Sequence, residues 1–146
     1  MNSEQINILL KAWETYQNLS KGLGENCWKV RTVGIGFWSA IIAYGYQHSD
    51  KNVYKFSLLI IFMFFVIEAG IRQLQYEYIS KSIEIEKSIN DFLAGDEISL
   101  PSNGISTNID IPSFVDFLLL FCLKRWLFWF PYLVLTTLTI ILIRFI

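Results

Sequence analysis

Glu68 and Arg72 stand four residues apart at the end of an apolar run, in FVIEAGIRQLQYEY, residues 65–78. That spacing places both on one helix face, within pairing reach. A carboxylate there has two readings. The pair can ease a helix out of hydrocarbon at the interface. Alternatively, Glu68 faces the axis of an oligomer, lines an aqueous path and favours cations, or gates by exchanging partners with Arg72. Further on, Lys81 and Lys87 lie near Tyr76 and Tyr78, with Lys11 and Lys21 earlier in the chain. Ammonium groups beside aromatic faces are the chemistry that holds phosphate and stacks on bases. Residues 72–112 carry three basic and seven acidic side chains, so ordinary solvated helix charges are the competing account.

Other chemistries have no residues to carry them. His48 is the single histidine, and Cys27 and Cys122 are far apart without metal-ligand spacing, which reads as two reduced thiols. There is no GxGxxG, no Walker-type loop, no CxxC and no Ser-His-Asp candidate. The expectation is a protein that is not an enzyme and uses no cofactor or metal. The aromatic cluster Trp126, Phe128, Trp129 and Phe130 reads as a membrane belt rather than a cofactor site.

The elements that position these residues follow from composition. The 146 residues are 53% hydrophobic, with mean hydropathy +0.42 and net charge −1. The apolar residues are bunched into runs near the ~20 residues that cross ~30 Å of hydrocarbon. Residues 1–31 read as an amphipathic helix. Ile6, Leu9, Trp13, Tyr16, Ser20, Leu23, Cys27 and Val30 alternate three and four apart, a heptad seam broken chemically only at Ser20. Gly22 and Gly24 weaken it and allow a bend. The first 30 residues lack the apolar core and cleavage site of a leader, so none is expected.

A two-span hairpin is expected over 32–72, with spans at 32–46 and 56–72 joined by a polar turn at 47–55. Trp28 and Tyr46 anchor the ends of the first span. Gly36, Ser39, Ala40 and Ala43 give one face small-xxx-small spacing, which suits close helix packing within the chain or between chains. Nothing breaks the helix after Arg72, so residues 73–94 should extend the second span as one rod, ~58 Å from residue 56. Ile71, Leu74, Tyr78, Ser82, Ile85, Ile89 and Phe92 form its stripe, which should pack antiparallel on residues 4–31. Ile79 and Ile83 lie off that seam and can reach neighbouring chains. Residues 95–112, rich in Gly, Pro, Ser and Asn, read as a linker. Ser113, with Asp116 as capping partner, starts an interfacial helix to 125. Lys124 and Arg125 then precede a third span at 126–146, its apolar part ending near 144. Pro131 falls in the first turns, where a missing donor should matter little. A fourth span is the alternative reading of 113–125.

Lys21, Lys29, Arg31, Arg72, Lys81, Lys87, Lys124 and Arg125 fall on one side of these spans, and Lys51, Lys55 and Arg144 on the other. The positive-inside rule puts the N-terminus in the cytoplasm. The fold expected is an all-α integral membrane protein with three transmembrane helices, a cytoplasmic antiparallel helical stalk and an interfacial helix.

Two spans, the second running straight into IRQLQYEYISKSIEIEKSI, resemble the small bacterial membrane effectors of anti-phage defence, among them SLATT-type proteins and the membrane subunit of the Hailong system. The resemblance covers roughly residues 28–94 and is one of architecture. It implies a bacterial inner-membrane homo-oligomer, with a tetramer favoured. That assembly would be a channel closed until a nucleotide or oligonucleotide signal from a nucleotidyltransferase-like partner opens it and depolarises the cell. It carries over no ligand residues. From the residues themselves, a membrane-anchored scaffold whose stalk recruits a soluble partner, and a holin-like lesion former, stay open.

Overall fold

The computed structural model describes residues 2–95, 104–108, 114–122 and 125–145. Four helices account for nearly all of them: α1 Asn2–His48, α2 Lys51–Leu93, α3 Phe114–Leu119 and α4 Trp126–Phe145. There is no strand among the described residues. The chain forms two compact units, Met1–Glu25 with Arg72–Ile111, and Asn26–Ile71 with Pro112–Ile146. Both long helices contribute to both.

In the first unit the seam holds as spaced. Leu9, Ala12, Tyr16 and Ile85 form the buried cluster, with Trp13, Tyr78 and Ile89 packed against it. Ser20, Ser82 and Ser88 are buried along the same contact. Small serines at a seam let two helices approach closely, and their hydroxyls must find partners. Ser82 Oγ donates to Ile79 O at 3.0 Å and accepts from Gln17 Nε2 at 3.1 Å. Ile83 and Ile8 point outward, 59% and 57% exposed.

In the second unit α1 and α2 run antiparallel from a tight turn. Ser49 adopts a left-handed φ of 48°, the conformation that ends a helix. Asp50 then caps α2: its Oδ1 accepts from Asn52 N–H at 2.9 Å and its carbonyl from Val53 N–H at 3.2 Å. The connection is therefore two residues, not the loop expected over 47–55. The polar residues on either side are helical because the cap and the following turn satisfy their backbone groups. Gly34 and Gly45 make the close approaches. A Cβ at Gly34 would lie 2.8 Å from Phe64 Cγ, and one at Gly45 would lie 3.2 Å from the Tyr54 ring. α4 packs alongside both helices, parallel to α1. Trp38 Nε1 donates to Thr139 Oγ1 at 2.9 Å, and Thr139 is fully buried.

Two helices, α2 and α4, are long and apolar enough to cross a membrane, with mean hydropathy 1.9 and 2.0 over their most apolar stretches. α1 carries no stretch of that hydropathy, because its residues 32–46 mix Gly, Ser and Tyr among the apolar side chains. α1 and α2 are each one uninterrupted helix, so Gly22 and Gly24 do not break α1. The helix expected over 113–125 is six residues long and unwinds through turns at Leu120–Cys122. The proposed Ser113–Asp116 cap and most of the linker lie outside the described residues.

Candidate functional site

The polar centre of the second unit is Glu68. It is 0% exposed near the end of the apolar run of α2. An uncompensated charge so placed costs several kcal/mol, so its partners decide what it can do. Arg31 of α1 meets it through two parallel bonds, Nε to Oε2 at 3.0 Å and Nη2 to Oε1 at 2.5 Å. This is the bidentate fork that makes arginine–carboxylate pairs strong and directional. From α4, Tyr132 donates its hydroxyl to Glu68 Oε2 at 2.6 Å. Both carboxylate oxygens are served, and three helices are tied at one point.

Arg31 does more. In a regular helix the Leu127 carbonyl accepts from the amide of residue 131, but that residue is Pro131 and has no N–H. Arg31 Nη1 lies 3.4 Å from that carbonyl, and Nη2 lies 3.4 Å from the carbonyl of Phe128. The guanidinium thus neutralises Glu68 and supplies the donor that Pro131 removes. Its other side faces the Trp28 ring, 5.4 Å from the centroid. Phe65 packs on Phe128 and Tyr132 at centroid distances of 5.2 and 5.3 Å, and on Phe121 at 5.5 Å, screening the network from one side. The arrangement can lock three helices or exchange partners. No cluster of metal-ligating groups occurs among the described residues.

Beyond the expected Arg72, Glu68 takes hydrogen-bond partners from two other helices. Glu68 is held by Arg31 and Tyr132, while Arg72 donates to Gln75 Oε1 at 2.7 Å in the first unit. A bidentate bond from a neighbouring helix outweighs the loose contact available at i,i+4. Glu68 is sealed inside one chain and lines no aqueous surface here. Arg31, which entered the sequence reading as one charge in the positive-inside count, and Tyr132, which it did not single out, are the residues missed. The small-residue face also needs correction as an intrachain contact. Gly36, Ser39, Ala40 and Ala43 are all exposed, a Cβ at Gly36 would meet nothing within 4 Å, and Ser39 Oγ bonds back to Ile35 O. Gly34 and Gly45 make the close contacts instead.

In the first unit the ligand candidates separate. Lys81 Nζ donates to the Ser106 carbonyl at 3.0 Å and to that of Asn108, and Tyr78 O–H to Thr107 O at 3.3 Å. Tyr16, 2% exposed, donates to the same Ser106 carbonyl at 2.8 Å. Three side chains thus grip three successive carbonyls of a short irregular segment. Lys87, by contrast, is exposed away from it, and Tyr76 is half-buried. The cluster of Lys81, Lys87, Tyr76 and Tyr78 that the sequence suggested is not one site. Comparison with known proteins found no matching family model, no matching curated protein and no matching solved structure.

Proposed function

We propose that the chain is an integral protein of the bacterial inner membrane that crosses it three times, through residues 32–46 of α1, 56–72 of α2 and α4, with its N-terminus in the cytoplasm. The observation that carries this is the inverted second unit. Glu68, Ser57 and Thr139 are fully buried, whereas Phe37, Phe62, Leu133 and Ile140 are about half exposed or more. Exposed apolar surface on this scale belongs against another apolar phase. α1 is less apolar than its neighbours, yet Gly34 against Phe64 and Trp38 on Thr139 hold it beside both, so it crosses with them. Exposed Trp28 and Tyr46 bracket its span at the two interfaces.

Within that setting we infer a homo-oligomeric pore-forming effector of anti-phage defence, closed at rest and opened by a cytoplasmic nucleotide or oligonucleotide signal. Three spans are too few to enclose an aqueous path, so conduction requires assembly, with a tetramer favoured. The exposed face of Gly36, Ser39, Ala40 and Ala43 lets copies approach closely in lipid. The Arg31–Glu68–Tyr132 network stands for the closed state, in which the intramembrane carboxylate is withdrawn from water. A trigger must bind the open form more tightly, since equal affinity shifts nothing. A second reading, a membrane-anchored scaffold, draws on exposed Ile8 and Ile83, which offer the first unit an apolar contact for a soluble partner.

A membrane-potential dye separates these readings in cells expressing the chain alone and with its genomic neighbour. Depolarisation only when the neighbour is active supports the gated pore. Depolarisation in neither case supports the scaffold, and constant depolarisation a holin-like lesion.

A further inference from the structure

Between α2 and α4 the second unit contains a lateral groove of about 630 Å³, walled by Leu58, Phe62, Phe65, Trp129, Leu133 and Thr136. We propose that this groove holds one acyl chain of a membrane phospholipid, its ester end beside Trp129. The inference rests on the membrane reading above and adds a resident ligand to it.

Three observations favour this occupant. First, the wall is hydrocarbon apart from the Thr136 hydroxyl, and its Thr137 and Tyr132 hydroxyls are turned elsewhere. Thr137 Oγ1 bonds back to Leu133 O at 2.8 Å, and the Tyr132 hydroxyl is spent on Glu68. A ligand polar along its length would find few partners there. Second, the exception sits at one end. The Trp129 indole N–H is buried and has no partner among the described residues. Trp129 lies in the first turn of α4 beside Trp126, at the level where aromatic belts meet lipid ester carbonyls. An ester oxygen there would supply the missing acceptor, with a small turn of the ring. Third, the dimensions suit a hydrocarbon chain better than a whole helix. From Trp129 to Thr137 α4 rises roughly 12 Å, so the volume corresponds to a cross-section of roughly 50 Å², well short of a helix 10–12 Å in diameter. A hydrocarbon chain fits that section. Phe121 lines the groove beside Phe65, and from Trp129 the tail runs toward Leu58 and Thr136.

The test is native mass spectrometry of the full chain, extracted from membranes in mild detergent, for wild type, Leu133→Trp and Ile140→Trp. Leu133→Trp fills the groove, and Ile140→Trp places the same bulk on an exposed position outside it. We expect one retained phospholipid per chain in wild type and Ile140→Trp, and its loss in Leu133→Trp. Equal retention in all three, or none in wild type, overturns the proposal. A second measurement needs no variant. Wild type in phosphatidylethanolamine–phosphatidylglycerol vesicles is irradiated with a phospholipid carrying a diazirine on its tail. Adducts at Phe62 and Thr136 support the groove, and adducts confined to outer positions such as Leu59 and Ile140 overturn it. Failure of the membrane reading itself looks different, because the chain then leaves the membrane fraction in a carbonate wash.

Discussion

The two units of this chain share the same two long helices and solve opposite problems. The first keeps Leu9, Ala12, Tyr16 and Ile85 inside and presents Glu14, Lys21, Glu84 and Lys87 outside. Removal of apolar surface from water suffices to hold it, at roughly 25 cal/mol per Å². The second places a carboxylate, an arginine and a threonine inside and leaves aromatic and aliphatic side chains outside. Where the surroundings are themselves hydrocarbon, that driving force vanishes, and cohesion falls to close packing and polar bonds. Gly34, Gly45, the Arg31–Glu68–Tyr132 network and the Trp38–Thr139 bond are those devices. The same helix thus changes its means of association along its length.

The largest way to break the contrast is to remove the polar centre. Glu68→Ala leaves Arg31 buried without its carboxylate, and loss of one member of a buried pair costs about 3–5 kcal/mol. We expect a marked fall in the thermal denaturation temperature of the detergent-solubilised protein. The double variant Arg31→Met with Glu68→Leu should recover a good part of it, because a matched apolar pair needs no compensation. Recovery should be incomplete, since the Leu127 carbonyl then loses the donor that stands in for Pro131. Additive losses in the double variant would contradict the pairing. Next in size, Ile85→Ala in the first unit should cost about 2–5 kcal/mol by cavity formation. Its effect should appear as faster proteolysis and amide exchange in residues 4–25 and 72–93, with the second unit's exchange little changed. Uniform loosening of both would show that the units do not act separately. The smallest contrast is between two glycines. Gly34→Ala pushes a methyl into Phe64 and should cost about 1–3 kcal/mol by overpacking. Gly36→Ala meets nothing within the chain and should be neutral or slightly stabilising in monomeric preparations. A cost at Gly36 that appears only on assembly would locate a contact between copies.

Much of the first unit is legible in the amino-acid sequence. The six seam positions from Ile6 to Leu23 are all buried or half-buried, because a three–four alternation has only one way to face a partner helix. The boundaries of α4 are also legible, since a long apolar run with tryptophans at its start and Arg144 at its end leaves little choice. The polar network was legible in principle and passed over. Arg31 lies as far before Ser49 as Glu68 lies after Asp50, and the same equidistance relates Gly45 to Tyr54, Gly24 to Gln75 and Gln17 to Ser82. A turn read as nine residues hid that symmetry and left Arg72, the local neighbour, as the obvious partner. The packing face was misplaced for another reason. Gly34 and Gly36 are two residues apart on a helix, and the small-xxx-small rule cannot tell which one meets Phe64. The grip of Tyr16, Tyr78 and Lys81 on residues 106–108 has no periodic signal at all, because its acceptors are backbone carbonyls of an irregular segment.

The two-residue turn at Ser49–Asp50 sets the phase of the hairpin. Each residue of an α-helix advances about 100° around its axis. One residue added at the turn would therefore swing α2 by more than a quarter revolution against α1 and carry Glu68 away from Arg31. Flexible loops absorb such length changes, but a connection with one left-handed residue and one cap has no slack to do so. The turn works as a gauge block: its fixed length brings the acid and base, eighteen residues away on either side, to the same height.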